Sequence, residues 1–234
     1  MQTYLVTGAA SGMGAAVAQR LSADGHRVIG LDLDAVEVCA DLATPAGRQT
    51  AIDEVLAACD GRLDGAVLAA GLGPGKGRER TTVEVNVLGV TELLTGLRPA
   101  LAAADKAKVV VFGSNSTTAT PLVPGAAVRR LIAGDAAGAT RIILRRKGLT
   151  AQIAYAASKL AVSHWVRRQA VTPEWAGAGI RMNLIAPGPV LTPLLRSQLA
   201  SGTGGQVRAF PVPVREYGTP EQLAEWVLMM LSPA

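Results

Sequence analysis

Tyr155 and Lys159 stand four residues apart in a stretch of good helix formers, and this spacing places both side chains on one face of a helix. An ammonium group beside a phenol favours the phenolate, so we expect Lys159 to lower the pKa of Tyr155 from its ordinary value of about 10. A tyrosine tuned in this way is suited to proton transfer as a general acid or base. The pair alone is a weak pattern, because surface helices contain it by chance. Other parts of the chain must support it.

A glycine-rich turn near the start of the chain provides the first support. Residues 3–6 form an apolar strand pattern, and a helical pattern runs from about residue 13 to residue 23. A strand, a glycine-rich turn and a helix in this order bind the pyrophosphate of a dinucleotide at the helix N-terminus. Gly8 permits the tight turn, Gly12 lets the backbone approach a phosphate, and Gly14 lets the helix pack closely. The sequence therefore predicts a dinucleotide cofactor.

Asp32 indicates which dinucleotide binds. It stands at the end of the second predicted strand, residues 27–31, about 20 residues past the glycine-rich turn. A carboxylate at this place accepts hydrogen bonds from the ribose hydroxyls and repels a 2′-phosphate. The neighbours Ser11 and Leu33 are not basic, whereas a phosphate-specific site would contain arginine or lysine. We therefore expect NAD rather than NADP. The alternative is that Asp32 only ends the strand.

The remainder of the chain alternates between strand and helix patterns. Further strands are predicted at 36–40, 63–69, 108–112 and 180–185, and a last helix is predicted from Pro220 to Leu231 with Thr219 as its N-cap. The alternation predicts an α/β fold: a single Rossmann-like doubly wound parallel sheet with helices on both faces, in one domain over residues 1–234. The Gly- and Pro-rich stretch from residue 193 to 214 is long and irregular enough for a mobile lid.

Two polar positions near the strand ends complete the candidate chemistry. Gly113-Ser114-Asn115-Ser116 follows the fifth strand, where open α/β sheets bind their ligands. Asn86 lies inside a long apolar helical stretch, where an amide is costly unless it is hydrogen-bonded. Asn86 is therefore either a member of a core network or a site residue.

Composition excludes several classes of protein. Cys39 and Cys59 have no metal-ligand or disulfide spacing, so we expect no metal site and two reduced thiols in a cytoplasmic protein. No run of 18 apolar residues exists, so we expect no membrane span. Residues 117–150 contain six basic residues and one acidic residue, which accounts for the whole net charge of +5. This basic segment lacks interleaved aromatic residues, so we expect a solvated face and no nucleic-acid binding.

Taken in order, these motifs resemble those of the short-chain dehydrogenase/reductase family, and the resemblance covers nearly the whole chain. The motifs are Thr7-Gly-x3-Gly12-x-Gly14, Ala69-Ala70-Gly71, Asn86, Ser114, Tyr155-x3-Lys159 and Pro187-Gly188. The resemblance implies that Tyr155 is the catalytic acid/base and that Lys159 lowers its pKa. It also implies that Ser114 orients the substrate oxygen and that Asn86 maintains a proton relay. Ser116 is the alternative serine, which we expect to be a neighbour in the pocket.

The same resemblance implies a cofactor site. Lys159 would hold the nicotinamide ribose, the Pro187-Gly188 turn and Thr192 would lie against the nicotinamide, and Asp41 and Leu42 would border the adenine. The implied cofactor-binding residues are Gly8, Ser11, Gly12, Met13, Gly14, Asp32, Asp41, Leu42, Ala70, Gly71, Tyr155, Lys159, Pro187, Gly188, Val190 and Thr192.

One departure from the usual family pattern narrows the resemblance to one group within the family. Tyr155 follows Ser114 by 41 residues, where about a dozen are usual, and the extra sequence is the basic segment 117–150. We predict that this insertion forms one or two amphipathic helices outside the core. A similar insertion characterises bacterial 3-alpha-hydroxysteroid dehydrogenase/carbonyl reductases. It precedes the helix through which family tetramers usually pack, so we expect a homodimer. The resemblance also predicts a short seventh strand after the last helix. Either the sequence is truncated at Ala234, which we expect, or the sheet has lost an edge strand.

The resemblance implies an NAD-dependent oxidoreductase that interconverts an apolar secondary alcohol and its ketone, with a 3-alpha-hydroxysteroid as the first candidate substrate. One alternative is the same chemistry on another carbonyl, such as a 3-oxoacyl thioester. The other alternative is a catalytically silent NAD-binding regulator.

Overall fold

The computed structural model describes residues 1–200, 205, 212 and 215–233. In this part of the chain six parallel strands form one sheet in the order β3-β2-β1-β4-β5-β6. The strands are β1 (Thr3–Thr7), β2 (Arg27–Asp32), β3 (Val38–Cys39), β4 (Gly65–Leu68), β5 (Lys108–Phe112) and β6 (Arg181–Ile185). The predicted single parallel α/β sheet is confirmed. The third strand is shorter than predicted.

Helices follow the strands and cover both faces of the sheet. They are α1 (Gly12–Ala23), α2 (Pro45–Ala58), α3 (Glu79–Val83), α4 (Gly89–Ala102), α5 (Ser116–Ala119), α6 (Gly125–Ile132), α7 (Ala136–Leu144), α8 (Thr150–Gln169), α9 (Pro193–Ala200) and α10 (Pro220–Leu231), with a 3-10 turn at Ala176–Ala178. On α10 the predicted N-cap is confirmed, because the Thr219 hydroxyl accepts from the Gln222 backbone N–H at 3.2 Å.

The core lies in two layers, one on each face of the sheet. One layer contains α2, α4 and α8, and the other contains α1 and α10. All five residues of β5 are buried, as expected for a central parallel strand covered on both faces.

The carboxyl ends of the strands determine where a ligand site can form. The strand order reverses at β1, which pairs with β2 on one side and with β4 on the other. A crevice opens at such a reversal, because the connections that follow the two neighbouring strands run to opposite faces of the sheet. The glycine-rich turn follows β1 and Ala69-Ala70-Gly71 follows β4, so both border this crevice.

The helical stretch around Asn86 is not the continuous α-helix that the apolar pattern predicts. A π-helical turn, Glu84–Leu88, separates α3 from α4. The Gly89 backbone N–H donates to the carbonyl of Glu84, five residues back, as in π-helical pairing. Single π turns inside α-helices are frequent at functional sites.

The insertion lies against the core rather than outside it. It forms α5, α6 and α7, and the last two helices are the two predicted amphipathic helices. Their apolar residues Ala127, Leu131, Ala139 and Ile143 are at most 1% exposed and belong to the main core layer. The prediction that these helices lie outside the core is therefore wrong. Their buried apolar stripes pack on α3 and α8 instead of facing solvent.

Part of the predicted lid is outside the described residues. Its first part, Pro193–Ala200, forms α9, while most of residues 201–214 are not described. None of the helices in the described ranges is long and apolar enough to span a membrane. Among the same residues no group of three or more histidine, cysteine, aspartate or glutamate side chains could hold a metal ion.

Candidate active site

Tyr155 and Lys159 lie on α8, one turn apart as predicted, with Lys159 almost fully buried. The Lys159 Nζ atom donates a hydrogen bond of 2.8 Å to the carbonyl of Phe112, the last residue of β5. Burial disfavours the ammonium form and lowers the pKa of Lys159 from 10.5 to about 8. The end of β5 therefore holds the lysine in place.

The pKa of Tyr155 responds to burial and to Ser114. Burial of the phenol raises this pKa, and a hydrogen bond from the Ser114 hydroxyl lowers it by a smaller amount. The expectation that Lys159 lowers the pKa of Tyr155 is not met in this arrangement, because the Lys159 ammonium is directed at the Phe112 carbonyl. Ser114 is the group that favours the Tyr155 phenolate.

The structure distinguishes the two candidate serines. Ser114 bonds the Tyr155 side chain through its hydroxyl, and its Oγ atom also accepts from the Ser116 backbone N–H at 3.1 Å. This second bond occupies an acceptor site of Ser114 and directs its O–H toward Tyr155. The buried Ser116 hydroxyl has no hydrogen-bond partner among the described residues. Ser116 thus orients Ser114 through its backbone.

Asn86 connects α8 to the loop after β4. The Asn86 side chain is fully buried, and its Oδ1 atom accepts from the Leu72 backbone N–H at 2.8 Å. Its Nδ2 atom donates to the Leu72 carbonyl and to the Ser158 Oγ atom, both at 3.0 Å. Asn86 is therefore a member of a buried polar network that includes the helix carrying Tyr155.

Ser158 is a site residue that the sequence analysis missed. Its hydroxyl accepts from Asn86 and donates to the Tyr155 carbonyl at 2.7 Å, so it fastens the Tyr155 turn to the π turn. A serine in a helix interior next to Lys159 was the available signal, because such a hydroxyl commonly bonds the preceding turn. The Phe112 carbonyl was also missed, and as a backbone group it leaves no signal in the sequence.

A cleft of about 450 Å³ at the crevice collects most of the predicted cofactor residues. Those that line it are Gly8, Ser11, Gly12, Met13, Gly14, Asp32, Asp41, Leu42, Ala70, Gly71 and Thr192. The sequence analysis missed several other lining residues, among them Leu31, Ala40, Ala43, Arg78, Thr81, Val85 and Leu194. They come from a strand, helices and loops that only the folded chain brings together at the cleft.

Two glycines of the glycine-rich turn, Gly8 and Gly14, have no room for a side chain. Gly8 has a φ of +70°, and a Cβ atom on it would lie 2.9 Å from the Ala70 backbone nitrogen. A Cβ on Gly14 would lie 2.2 Å from the Gly8 carbonyl oxygen, which is shorter than any tolerated contact. The turn thus lets α1 begin directly against the cleft, with its first backbone N–H groups available to an anion.

Asp32 occupies the position expected for a ribose-binding carboxylate. It ends β2 and lines the cleft, and its Oδ2 atom accepts from the Ala10 backbone N–H at 3.0 Å. Its Oδ1 atom accepts from the Leu33 backbone N–H at 2.8 Å. Two fixed N–H donors orient the carboxylate, and its remaining lone pairs can accept from hydroxyl groups.

The segment after β6 reaches both halves of the site. The Pro187 carbonyl accepts from the Asn115 backbone N–H at 3.1 Å, beside Ser114. A Cβ on Gly12 would lie 3.2 Å from Thr192 Cγ2, so Thr192 packs on the glycine-rich turn. Val190 forms a bridge with Gly218, ahead of α10. This segment therefore connects the predicted catalytic serine to the cofactor cleft.

The predicted catalytic side chains stand beside the cleft rather than in its lining. The residues that line it do not include the four predicted catalytic residues, Asn86, Ser114, Tyr155 and Lys159, or three further predicted cofactor-binding residues, Pro187, Gly188 and Val190. Gly71 marks the junction, because a Cβ there would lie 3.2 Å from Asn86 Oδ1 and 3.5 Å from Lys159 Nζ. The lack of a side chain at Gly71 lets the cleft continue toward Lys159. A dinucleotide fits this arrangement: a helix N-terminus, an oriented carboxylate and an opening toward a buried lysine.

Comparisons with known proteins agree with this geometry. The family model described as Enoyl-(Acyl carrier protein) reductase matches residues 8–234. The 3-alpha-hydroxysteroid dehydrogenase/carbonyl reductase of Comamonas testosteroni is 37% identical over 235 residues, covering 100% of this chain and 91% of that protein. The chain belongs to the short-chain dehydrogenase/reductase family. The family resemblance predicted from the motifs is confirmed, and the chain is an oxidoreductase of this family.

Other relatives extend over most of the chain. The coniferyl-alcohol dehydrogenase of Pseudomonas sp. (strain HR199 / DSM 7063) is 32% identical over 203 residues, which cover 82% of this chain and 74% of that protein. The crystal structure of the 3-alpha-hydroxysteroid dehydrogenase from Pseudomonas sp. B-0831 complexed with NADH superposes with a TM-score of 0.91 at 40% identity. The match covers 99% of this chain and 90% of that chain.

Replacing Ser114 by alanine should shift the pH dependence of alcohol oxidation to higher pH. The Ser114 hydrogen bond lowers the pKa of Tyr155, so its loss leaves the effect of burial unopposed and raises that pKa further. Less phenolate is then present at neutral pH, and we expect kcat at pH 7 to fall by about 10²-fold or more.

The measurement is kcat for alcohol oxidation against pH, and Ser116→Ala is the matched control. That control removes a hydroxyl without a partner but keeps the backbone N–H that orients Ser114. An alkaline shift in Ser116→Ala with none in Ser114→Ala would reverse the assignment of the two serines.

Proposed function

We propose that the protein interconverts a secondary alcohol and its ketone by hydride transfer with NAD(H), and that a 3-alpha-hydroxysteroid is its first candidate substrate. The observation that carries the proposal is the hydrogen bond between Ser114 and the partly buried Tyr155 phenol, one helical turn from the buried Lys159. The names of the Comamonas relative and of the Pseudomonas structure with NADH support the choice of substrate and cofactor.

In the proposed mechanism Tyr155 moves the proton. During oxidation the Tyr155 phenolate accepts the proton of the substrate hydroxyl while Ser114 donates a hydrogen bond to the substrate oxygen. Bound NAD supplies the acceptor for the hydride that leaves the substrate carbon. Reduction is the reverse, with Tyr155 returning its proton to the carbonyl oxygen.

Lys159 and Asn86 have supporting roles in this proposal. One Lys159 donor is used by the Phe112 carbonyl, and an ammonium has two more for a ribose hydroxyl near the opening at Gly71. Asn86 holds the Leu72 loop and, through Ser158, the Tyr155 turn, so it fixes the distance between cleft and acid/base.

Cofactor specificity in this proposal rests on Asp32 and the glycine-rich turn. The α1 N-terminus with Ser11, Gly12 and Met13 would hold the pyrophosphate, and Asp32 would accept from the adenosine ribose. Asp41 and Leu42 would border the adenine at the other end of the cleft. The two free cysteines, Cys39 and Cys59, support a reducing compartment, for which we propose the cytoplasm.

One observation favours a second candidate substrate. The matching family model is described as Enoyl-(Acyl carrier protein) reductase, and this name makes an acyl thioester the alternative substrate to a steroid. The third candidate, a silent NAD-binding regulator, predicts cofactor binding without turnover.

Tyr155→Phe should lose turnover by about 10²-fold or more while retaining its affinity for NADH, because the substitution removes only the hydroxyl that carries the proton. Turnover is followed at 340 nm with 3-hydroxysteroids, small ketones and a 3-oxoacyl thioester, and NADH binding by its fluorescence. Tyr4→Phe is the control, since Tyr4 is a core tyrosine whose hydroxyl donates to Gln2, just ahead of β1. Full activity in Tyr155→Phe would contradict the mechanism, and binding without turnover in the parent protein would favour the regulator.

Asp32→Ala should reduce the preference for NAD over NADP by about tenfold or more, because it removes a negative charge that would repel the 2′-phosphate. Asp32→Asn separates charge from geometry, since its amide oxygen can still accept from the Ala10 N–H. The measurement is kcat/KM with each cofactor, and Asp53→Asn on the exposed side of α2 is the matched change in net charge. An unchanged preference in both Asp32 variants would show that Asp32 does not read the ribose.

We further propose that the protein is a homodimer that packs through α10. The insertion helices α5, α6 and α7 all pack against α8, so they obstruct the face used in family tetramers. On α10, Trp226 and Met229 are 57% and 60% exposed and lie on one face of the helix. Two large apolar side chains exposed on one helix favour an interface between copies.

Light scattering after gel filtration tests this arrangement. The parent protein should have the mass of two chains, and Trp226→Asp should shift it to one chain, since a buried unpaired charge opposes association. Leu144→Asp, on the exposed end of α7, is the control and should stay dimeric. A tetramer packed through residues 155–170 would contradict the proposal.

A further inference from the structure

Arg48 on α2 is a buried arginine to which the proposed mechanism assigns no role. It is only 3% exposed, and a guanidinium is almost never buried without partners. It lines a cavity of about 530 Å³ next to the cofactor cleft, and Ala43 and Thr81 belong to the walls of both. Arg48 therefore lies just behind the adenine end of the proposed cofactor site.

The contacts of Arg48 join three separate elements. Its Nη1 atom donates to the Leu42 carbonyl at 3.1 Å and to Glu84 Oε2 at 3.3 Å. Its Nε atom donates to Glu92 Oε2 at 2.6 Å. The other Glu84 oxygen accepts from Arg80 at 2.6 Å, so the Glu84 carboxylate is held from both sides.

Both ends of the π turn reach Leu42. Glu84, the first residue of the turn, is linked to the Leu42 carbonyl through Arg48. Gly89, which follows the turn, packs so closely that a Cβ on it would lie 3.1 Å from Leu42 Cβ. Leu42 is therefore joined to the π turn in two ways, by packing against Gly89 and by hydrogen bonds through the buried Arg48 guanidinium.

The middle of this turn carries Asn86, which has no freedom to adapt. Asn86 is 0% exposed and uses Oδ1 and Nδ2 on Leu72 and Ser158. Because close-packed interiors transmit displacements, a shift of Glu84 must also disturb the bonds of Asn86 two residues later. Arg48 is thus connected to the cofactor cleft at Leu42 and to the Tyr155 helix at Ser158.

We propose that Arg48 is a positioning residue that sets the adenine-side wall of the cofactor site and the placement of Asn86 together. The proposal rests on the proposed function for the roles of Leu42 and Asn86. Buried ion pairs contribute little net stability compared with apolar packing, so a buried arginine with three acceptors is better explained by the geometry it imposes. Its planar guanidinium suits this task, because one rigid group directs donors at several acceptors.

Arg48→Met should weaken cofactor binding and slow turnover together. Methionine has a similar length but no donors, so the Leu42 carbonyl and Glu84 both lose their common partner. We expect the Kd for AMP and for NADH to rise about tenfold and kcat at saturating NAD to fall about tenfold, as displaced site groups typically cause. Arg48→Lys keeps the charge without the planar fork and should restore part of both losses.

Arg27→Met is the matched control. Arg27 also pairs with a glutamate, Glu37, and donates to a backbone carbonyl, that of Ala58, but it lies at the start of β2 away from the π turn. Its AMP affinity and kcat should equal those of the parent protein. AMP and NADH binding are measured by calorimetry, turnover at 340 nm, and thermal melting on every variant.

A double-mutant cycle with Asn86→Ala tests whether Arg48 acts through Asn86. If it does, the kcat loss caused by Arg48→Met should be much smaller in the Asn86→Ala background than in the parent protein. Three results would each overturn the proposal. One is a kcat loss in the double variant that equals, as free energy, the sum of the two single losses. The others are a lower melting temperature with unchanged kcat and AMP affinity, and weaker AMP binding with unchanged kcat.

Two further features keep the test decisive. If Arg48→Met does not fold, Arg48→Lys and Gly89→Ala replace it. The added methyl group of Gly89→Ala would press on Leu42 from the opposite side. AMP affinity and kcat equal to those of the parent protein in both variants would overturn the proposal. Failure of the proposed function appears separately, as full activity in Tyr155→Phe. Failure of this inference leaves Tyr155→Phe inactive and gives one of the contradicting results described for the Arg48 variants.

Discussion

The Asn86 carboxamide is the constraint on which the rest of the site depends. It is fully buried, and leaving such an amide unpaired would cost about 1–3 kcal/mol per lost partner. Its three bonds require that the Leu72 loop, the π turn and Ser158 on α8 meet at one point. The cleft wall after β4 and the helix of the proposed acid/base are therefore held at a fixed distance, whatever the surrounding loops do.

Burial also sets the proton chemistry. It raises the pKa of Tyr155 and lowers that of Lys159 to about 8, so each group moves toward its neutral form. Ser114 opposes burial at Tyr155, and the Phe112 carbonyl holds Lys159 at the end of β5. Burial therefore separates the two pKa values: compared with water, the phenol keeps its proton more strongly and the amine loses its proton more readily.

The insertion contributes to the body of the enzyme as well as to its surface. Its helices α6 and α7 supply Leu131 and Ile143 to the main core layer and pack against α3 and α8. They therefore cover the outer side of the helix that carries Tyr155 and Lys159. The same packing brings Asp135 and Ala136 to the cavity lined by Arg48, so the insertion borders the polar network behind the adenine end.

Sequence patterns alone determined the parallel sheet, the glycine-rich turn, the Asp32 strand end and the Tyr155 and Lys159 pair, because these depend on spacing within an element or on the order of successive elements. Tertiary structure alone decided what those groups contact. The Asn86 bond to Ser158, the Lys159 bond to the Phe112 carbonyl and the Arg48 bonds to Glu84 and Glu92 join residues distant in the chain, and no local periodicity encodes such pairs. For the same reason the amphipathic pattern of residues 125–144 predicted helices correctly but not their buried place, since a pattern identifies an apolar face without naming the surface that covers it.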